Sequence, residues 1–326
     1  MSSPASSLRA RLRQAAVAAV HGALKNPPAE QLLRLTHAAA PPHIRAWWPR
    51  VAPQPSDYGP GERRRFRTRG LRFDLAPSSY FQWHHYFGFD DPVLDVLAAL
   101  AIGARTIVDV GANVGLYALV MARAAGPAAR VHAFEPFPET LEVLRAQLAL
   151  NADTQVEAHG LALGEAEEVR RIFVSTAADA GKSTLVAARD GLADAGLAVH
   201  VSTLDAFAAT RGPLDLVKID VEGHEPATMR GARATIARDR PDLVLELSPE
   251  WWPADETGAV FAELDGLGYA LHEIPAPGAA PALAPRTWRD VLAARRQWNL
   301  VALSARRGDP GARARAIERL LPRGAA

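Results

Sequence analysis

The sequence predicts an α/β fold, a doubly wound and mostly parallel sheet with helices on both faces, preceded by a helical and Pro-rich extension. Three observations predict it. From Thr106 onward short apolar runs alternate with segments of helical periodicity. The first run empties into a Gly-containing turn, TIVDVGANVGLYAL (106–119), and the second ends on an acid, HAFEP (132–136). With 326 residues, 48% of them hydrophobic and 22% charged, the chain can bury a sizeable core. It has no cysteine, which excludes disulfides, zinc–cysteine sites, iron–sulfur clusters and a cysteine nucleophile. No apolar run reaches the roughly 18 residues that would span a bilayer.

The elements follow in order. Arg9, Arg11 and Arg13 precede AAVAAV, and no acid occurs before Glu30, a composition shared with transit peptides. His21, Gly22 and Lys25 interrupt that pattern, so an amphipathic helix and a cytoplasmic location are expected. Residues 26–62 hold eight prolines, among them Pro27-Pro28 and Pro41-Pro42, and predict an irregular linker or a strapped-down extension. Two short runs, 65–68 and 71–75, meet at Arg69-Gly70 as a hairpin. An aromatic segment, 78–89, carries His84 and His85, candidates to close an acceptor pocket or to serve as a base. Asp90 or Asp91 caps a helix opened by Pro92, with Val93, Leu94, Leu97 and Leu100 at helical spacing.

Seven strands are then expected, at 106–110, 130–135, 155–159, 214–219, 242–247, 269–273 and 298–303. Among the intervening helices, one carries Leu141, Leu144 and Leu148, and another Met229, Ala232 and Ile236. The stretch 160–203 exceeds a normal connection and predicts an extra strand at 169–174 and a Gly/Ser/Ala-rich loop at 175–198. A second loop is expected at 275–286, PAPGAAPALAPR. The domain boundaries expected are an extension 1–80, a catalytic domain 81–304 and a basic tail 305–326. Charge follows the same division: residues 1–72 carry 13 basic and 3 acidic side chains, and 305–326 carry 6 and 2, on an acidic body. Such ends predict either solvated flanks or peripheral contact with an anionic surface; no nucleic-acid partner is expected.

The first turn points to a cofactor. Gly111 and Gly115 let backbone bend and approach a ligand, and Asn113 tolerates a left-handed conformation. Glu135, twenty residues beyond Gly115, is placed to accept hydrogen bonds from a ribose diol. A dinucleotide site would need glycine where Asn113 stands, so that backbone could meet a pyrophosphate. S-adenosyl-L-methionine has no pyrophosphate, and Asp109 is placed to attract its ammonium group. The candidate cofactor residues are therefore Asp109, Gly111, Ala112, Asn113, Gly115 and Glu135.

A second cluster, KIDVEGHEP (218–226), follows the strand at 214–219 and supplies the candidate catalytic residues Asp220, Glu222, His224 and Glu225. Ligands of open α/β sheets sit beyond the carboxyl ends of strands, where these side chains emerge. Methyl transfer to an aliphatic hydroxyl needs an aligned nucleophile and a group to take its proton. The plain structural alternative is that the acids cap the next helix and pair with Arg230 or Arg233. Asp220 and Glu246 together have the oxygen chemistry for Mg²⁺, but no metal is expected.

In order, VDVGANVGLYAL, HAFEP, LALGE, VSTLDAF, LVKIDVEGHEP and LVLELSP resemble the FkbM-type methyltransferases over about residues 85–275. The resemblance implies a Rossmann-like class I methyltransferase fold, seven-stranded with a late antiparallel strand. It also implies S-adenosyl-L-methionine as cofactor and O-methylation of a sugar, glycan or natural-product acceptor. Asp109, Gly111, Asn113 and Gly115 match its loop, Glu135 its ribose acid, and Asp220, Glu222, Gly223 and Glu225 its acidic run, whereas His224 falls at a variable place. A non-catalytic binding module on the same fold and an NAD-linked oxidoreductase are the alternatives.

Overall fold

The computed structural model describes residues 15–45, 47–175, 183–185, 192–252, 256, 258–294 and 296–321. The chain groups into two units, one of residues 1–66, 73–90 and 324–326, the other of residues 67–72 and 91–323. The division after Asp90 lies ten residues beyond the expected boundary, and residues 305–321 belong to the second unit instead of forming a separate tail.

In the first unit, residues 15–24 are helical. Pro27-Pro28, read above as linker, opens the helix Pro27–Ala39, because proline is compatible with a first helical turn and the Asn26 side chain accepts from the Ala29 amide. One turn in, Glu30 is fully buried. Its carboxylate accepts from the hydroxyls of Tyr58 (2.9 Å) and Tyr86 (2.8 Å) and from Arg64 Nε (2.5 Å). Strands β1 (Arg64–Thr68) and β2 (Leu71–Leu75), whose residues 67–72 group with the second unit, form the expected hairpin. His84 and His85 lie on the helix Tyr80–Phe87, among Phe81, Trp83 and Phe89.

In the second unit, Asp91 caps the helix Pro92–Ala101 by accepting from the amides of Val93 and Leu94. The main sheet uses β3 (Thr106–Val110), β4 (Arg130–Phe134) and β5 (Val156–His159). A second sheet is built from β6 (Ala162–Leu163), β7 (Glu168–Ser175), β8 (Ser183–Thr184) and β9 (Leu192–Ser202). The main sheet resumes with β10 (Leu216–Ile219), β11 (Asp242–Leu247), β12 (Tyr269–Glu273), β13 (Ala284–Arg286) and β14 (Trp298–Ser304). Its order is β13-β12-β14-β11-β10-β3-β4-β5. β10 pairs in parallel with β3 and β11, and β14 runs antiparallel to β11, as the resemblance implied.

Alternation along the strands divides the interior. Val108, Val217, Ile219, Leu243 and Leu245 enter one apolar cluster, while Ile107, Leu216 and Val244 enter the other.

Three local expectations are corrected. Among the described residues the main sheet has eight strands, since β13 forms within the predicted loop 275–286; Pro285 is tolerated because β13 is an edge strand. The predicted loop 175–198 overlaps β9, which pairs with β7 from Ser175↔Leu192 onward; residues 176–182 and 186–191 lie outside the described residues. The helix expected through Met229, Ala232 and Ile236 is two helices, Glu225–Arg230 and Arg233–Asp239. Between them, a Cβ on Gly231 would lie 1.9 Å from the Gly164 carbonyl, so the backbones of the two sheets' connections meet there.

Candidate active site

The site forms where β3, β4, β10 and β11 end. Leaving β3, the chain turns at Gly111 with φ +76°, and a Cβ there would stand 1.8 Å from the Asp220 carbonyl oxygen. Glycine is thus required both by the left-handed backbone and by the approach of the acidic turn. The amides of Gly111 and Ala112 donate to the Phe134 carbonyl at 3.0 and 2.9 Å. Asn113 has φ +50°, as expected of a residue tolerating that region, and its amide donates to Glu135 Oε2 at 3.0 Å. Gly115 ends the turn against Leu144, and the helix Leu116–Ala125 begins.

Glu135 is 4% exposed, with Oε1 accepting from the Phe137 amide at 3.0 Å. Burial pushes its carboxyl up to about 7, against the pull of the two amides. A carboxylate offers about four lone-pair sites, so these two bonds leave acceptor capacity on both oxygens.

Register brings Lys218 opposite Asp109, with both side chains on the face of Ile107 and Leu216. Lys218 is 2% exposed and Asp109 fully buried. Lys218 Nζ stands 3.2 Å from Asp109 Oδ1, 3.2 Å from Asp220 Oδ2 and 5.0 Å from the centre of the Tyr117 ring. Burial alone would lower the lysine pKa, but the two carboxylates outweigh it and the ammonium is held charged. Burial raises the Asp109 carboxyl, with Lys218 opposing. Asp109, expected to attract a ligand's ammonium group, thus also has a positive partner within the chain, Lys218. Tyr117 donates to Asp91 Oδ2 at 2.9 Å, fixing its ring beside the ammonium.

Beyond Asp220 the backbone enters a second strained turn. Glu222 has φ +51°, a conformation that costs a non-glycine residue about 1 kcal/mol or more. Its carbonyl accepts from Thr184 Oγ1 at 2.7 Å, so the second sheet holds the turn in place. Oxygens of Asp220, Glu222 and Glu246 lie within 4.8 Å of one another, all on partly buried residues. Gln297 on the segment before β14 donates to Glu246.

Glu225 and His224 turn elsewhere. Glu225 is fully buried, accepting from the Gly223 amide and from Trp252 Nε1, both at 2.7 Å, and burial pushes its carboxyl up to about 7. Both oxygens thus shape the turn. His224 is 7% exposed, and its ring lies against Gly164; burial, aided by Arg170 and Arg230, lowers its pKa to about 4. Arg230 pairs with Glu165 and Glu256, and Arg233 with Glu263, instead of with the acidic turn. The sequence reading missed Lys218 and Tyr117; the signal available was a lysine of the same parity as Leu216 in an otherwise apolar strand, two residues before Asp220.

The sheet order, the glycine turn after its central strand and the acid ending its neighbour define a class I methyltransferase-type fold. Residues 109–271, half of the chain, match the methyltransferase FkbM domain, and the protein belongs to that family. Among solved structures it is similar to the methyltransferase FkbM from Methylobacillus flagellatus KT, with 16% identity and a TM-score of 0.41 over 86% of this chain and 60% of that one. The chain thus spans less than two thirds of that relative. It is also similar to the O-methyltransferase TomG from Streptomyces achromogenes, involved in tomaymycin synthesis and solved with SAM, at 16% identity and TM-score 0.38 over 65% and 78% of the two chains. A third is an O-methyltransferase from Bacillus cereus in complex with SAH, at 12% identity and TM-score 0.37 over 67% and 84%. No curated protein matches the chain. Among the described residues, no helix is long and apolar enough to cross a membrane.

Proposed function

We propose that the protein transfers a methyl group from S-adenosyl-L-methionine to a hydroxyl of a sugar, glycan or natural-product acceptor. The observation that carries this reading is the convergence of Asp220, Glu222 and Glu246 at the strand ends beside the glycine turn, within the family-matched segment. The donor set fits a ribosyl cofactor: Glu135 keeps acceptor capacity for a diol, and its carboxylate is held beside the turn by the Asn113 amide. The cofactor, when bound, supplies an electrophilic methyl group on a sulfonium. Asp220 or Glu222 takes the proton of the acceptor hydroxyl, while Lys218 orients Asp220 and balances its charge. Glu225 and Thr184 hold the turn from which both acids project.

Asp220→Asn and Glu222→Gln, measured in parallel with His224→Ala, test the assignment. Loss of the base lowers turnover by about 10²–10⁴-fold while S-adenosylhomocysteine affinity stays within a few-fold. Abolished turnover in His224→Ala alone, with both amides active, would transfer the role to the imidazole. Full activity in all three would direct attention to His84 and His85. Since Lys218 already provides a cation beside Asp220, activity is expected to survive EDTA; loss restored by Mg²⁺ would make the three carboxylates ligands. Calorimetry with NAD in place of S-adenosylhomocysteine tests the cofactor class, and methyl release over a panel of acceptors separates an enzyme from a binding module.

A further inference from the structure

On the open edge of the main sheet, three metal-ligating side chains that the proposed reaction does not use share one face. His132 on β4 pairs in register with Glu157 on β5, and His159 lies two residues further along β5. Strand alternation therefore puts all three on the same side. His132 Nδ1 is 3.2 Å from His159 Nε2 and 3.4 Å from Glu157 Oε2, and His159 Nε2 is 3.9 Å from Glu157 Oε1. Ligands about 2.0–2.1 Å from a tetrahedral Zn²⁺ are about 3.3 Å apart, so the three groups approximate one face of its coordination tetrahedron.

We infer that His132, Glu157 and His159 form a binding site for a divalent transition metal of the zinc class, with the fourth position open to water. Two imidazoles and one carboxylate are the donor set such ions prefer over Mg²⁺ and Ca²⁺, which take oxygen. In a chain without cysteine, histidine and carboxylate are the ligands a zinc site has to use.

The surroundings are built as a socket. Phe207 meets both imidazoles edge to face, at 5.0 Å from His132 and 5.3 Å from His159, and Phe134 stacks on His159 at 4.6 Å. These contacts hold the rings in position without occupying their nitrogens. The side chains of His132 and His159 are 7% and 14% exposed, whereas that of Glu157 is 64% exposed, so the carboxylate opens the entry path. Arg211 and Arg130 add positive potential nearby, which Glu157 offsets. The His159 carbonyl also accepts from the Glu135 amide at 3.0 Å, so a metal bridging β4 and β5 would brace the strand end that carries Glu135.

The competing explanation is a direct hydrogen bond between the two imidazoles. The test uses the full-length protein, stripped with EDTA and titrated with Zn²⁺, with Mg²⁺ as control. One equivalent of Zn²⁺ should bind and raise the melting temperature, with no such effect from Mg²⁺. Co²⁺ in its place should give the visible absorption of a four-coordinate complex. Glu157→Ala, at an exposed position, and His159→Ala should each weaken Zn²⁺ by more than the roughly 10–100-fold that loss of an outer-shell partner costs. Stoichiometric binding unchanged in both variants, or none in the wild type, would overturn the site and leave the imidazole hydrogen bond. Binding lost instead in Asp220→Asn would place the ion at the acidic turn and equally overturn it. None of these readouts uses methyl transfer, so the site stands or falls separately from the proposed reaction.

Discussion

Glu135 carries the sharpest prediction of any single residue. Its carboxyl sits at about 7 because burial disfavours the charged form, and a diol donates more strongly to the ionised carboxylate than to the protonated group. S-adenosylhomocysteine affinity should therefore fall as pH drops below 7, by up to about tenfold per pH unit, the slope of one linked proton. Titration calorimetry between pH 5.5 and 8.5 reads this, and Glu135→Ala should weaken binding by about 1.5–3 kcal/mol and flatten the slope. For stability alone the sign is opposite. A carboxyl raised in the folded state costs stability above its folded pKa, and that cost disappears as pH falls from about 7 toward the unfolded value. Glu225, also raised to about 7, acts in the same direction, while His224, lowered to about 4, loses stability as pH falls. Gly111→Ala tests the backbone: with Asp220's carbonyl 1.8 Å from the new Cβ, the two turns cannot both keep their places. Melting temperature and cofactor affinity should drop together, and a variant that retains both would refute the close approach.

At the scale of elements, the helix Pro310–Leu320 shows how a segment that reads as a basic tail becomes part of a core. Asp309 caps it by accepting from the Ala312 amide, Pro310 fits its first turn, and Ala314, Ile317 and Leu321 join the apolar cluster behind Ile107 and Val301. Its charge is used internally: Arg313 forms a fork with both oxygens of the buried Asp242, and Arg307 pairs with Asp215 at 2.6 Å. Arg313→Ala leaves Asp242 buried with a weaker partner, Arg307 at 3.4 Å, and should destabilise the fold by about 3 kcal/mol. Urea unfolding measures this; a change under about 0.5 kcal/mol, the level of an ordinary surface substitution, would mean that the fork adds nothing. The same lesson applies to Pro27-Pro28, where a pair of residues that punctuates loops opened a helix because Asn26 stood before it.

For the whole molecule, the cofactor and acid residues named above all belong to the second unit, while the buried Glu30 hub belongs to the first. Glu30→Ala strands Arg64 among two tyrosine hydroxyls and should cost about 3–5 kcal/mol. At a temperature where the variant remains folded, its S-adenosylhomocysteine affinity should match the wild type; a parallel loss of affinity would show that the two units are energetically coupled.

The sequence alone determined every strand of the main sheet except β13, the glycine turn with its left-handed Asn113, the acid ending β4 and the acidic run after β10. These are local signals: strand period, helix caps and glycine turns are written in neighbouring residues. What only tertiary structure decided are the partnerships between distant segments. Lys218 meets Asp109 through strand register, Thr184 reaches the Glu222 carbonyl from the second sheet, and Glu225 is taken up by Trp252. Three acids and a histidine within six residues were all candidates in sequence, but burial separated them. Glu225 faces inward and shapes the turn, whereas Asp220 and Glu222 emerge beside Glu246 from a neighbouring strand. Which way a side chain faces at a strand end depends on what packs beneath it, and that is information no local pattern contains.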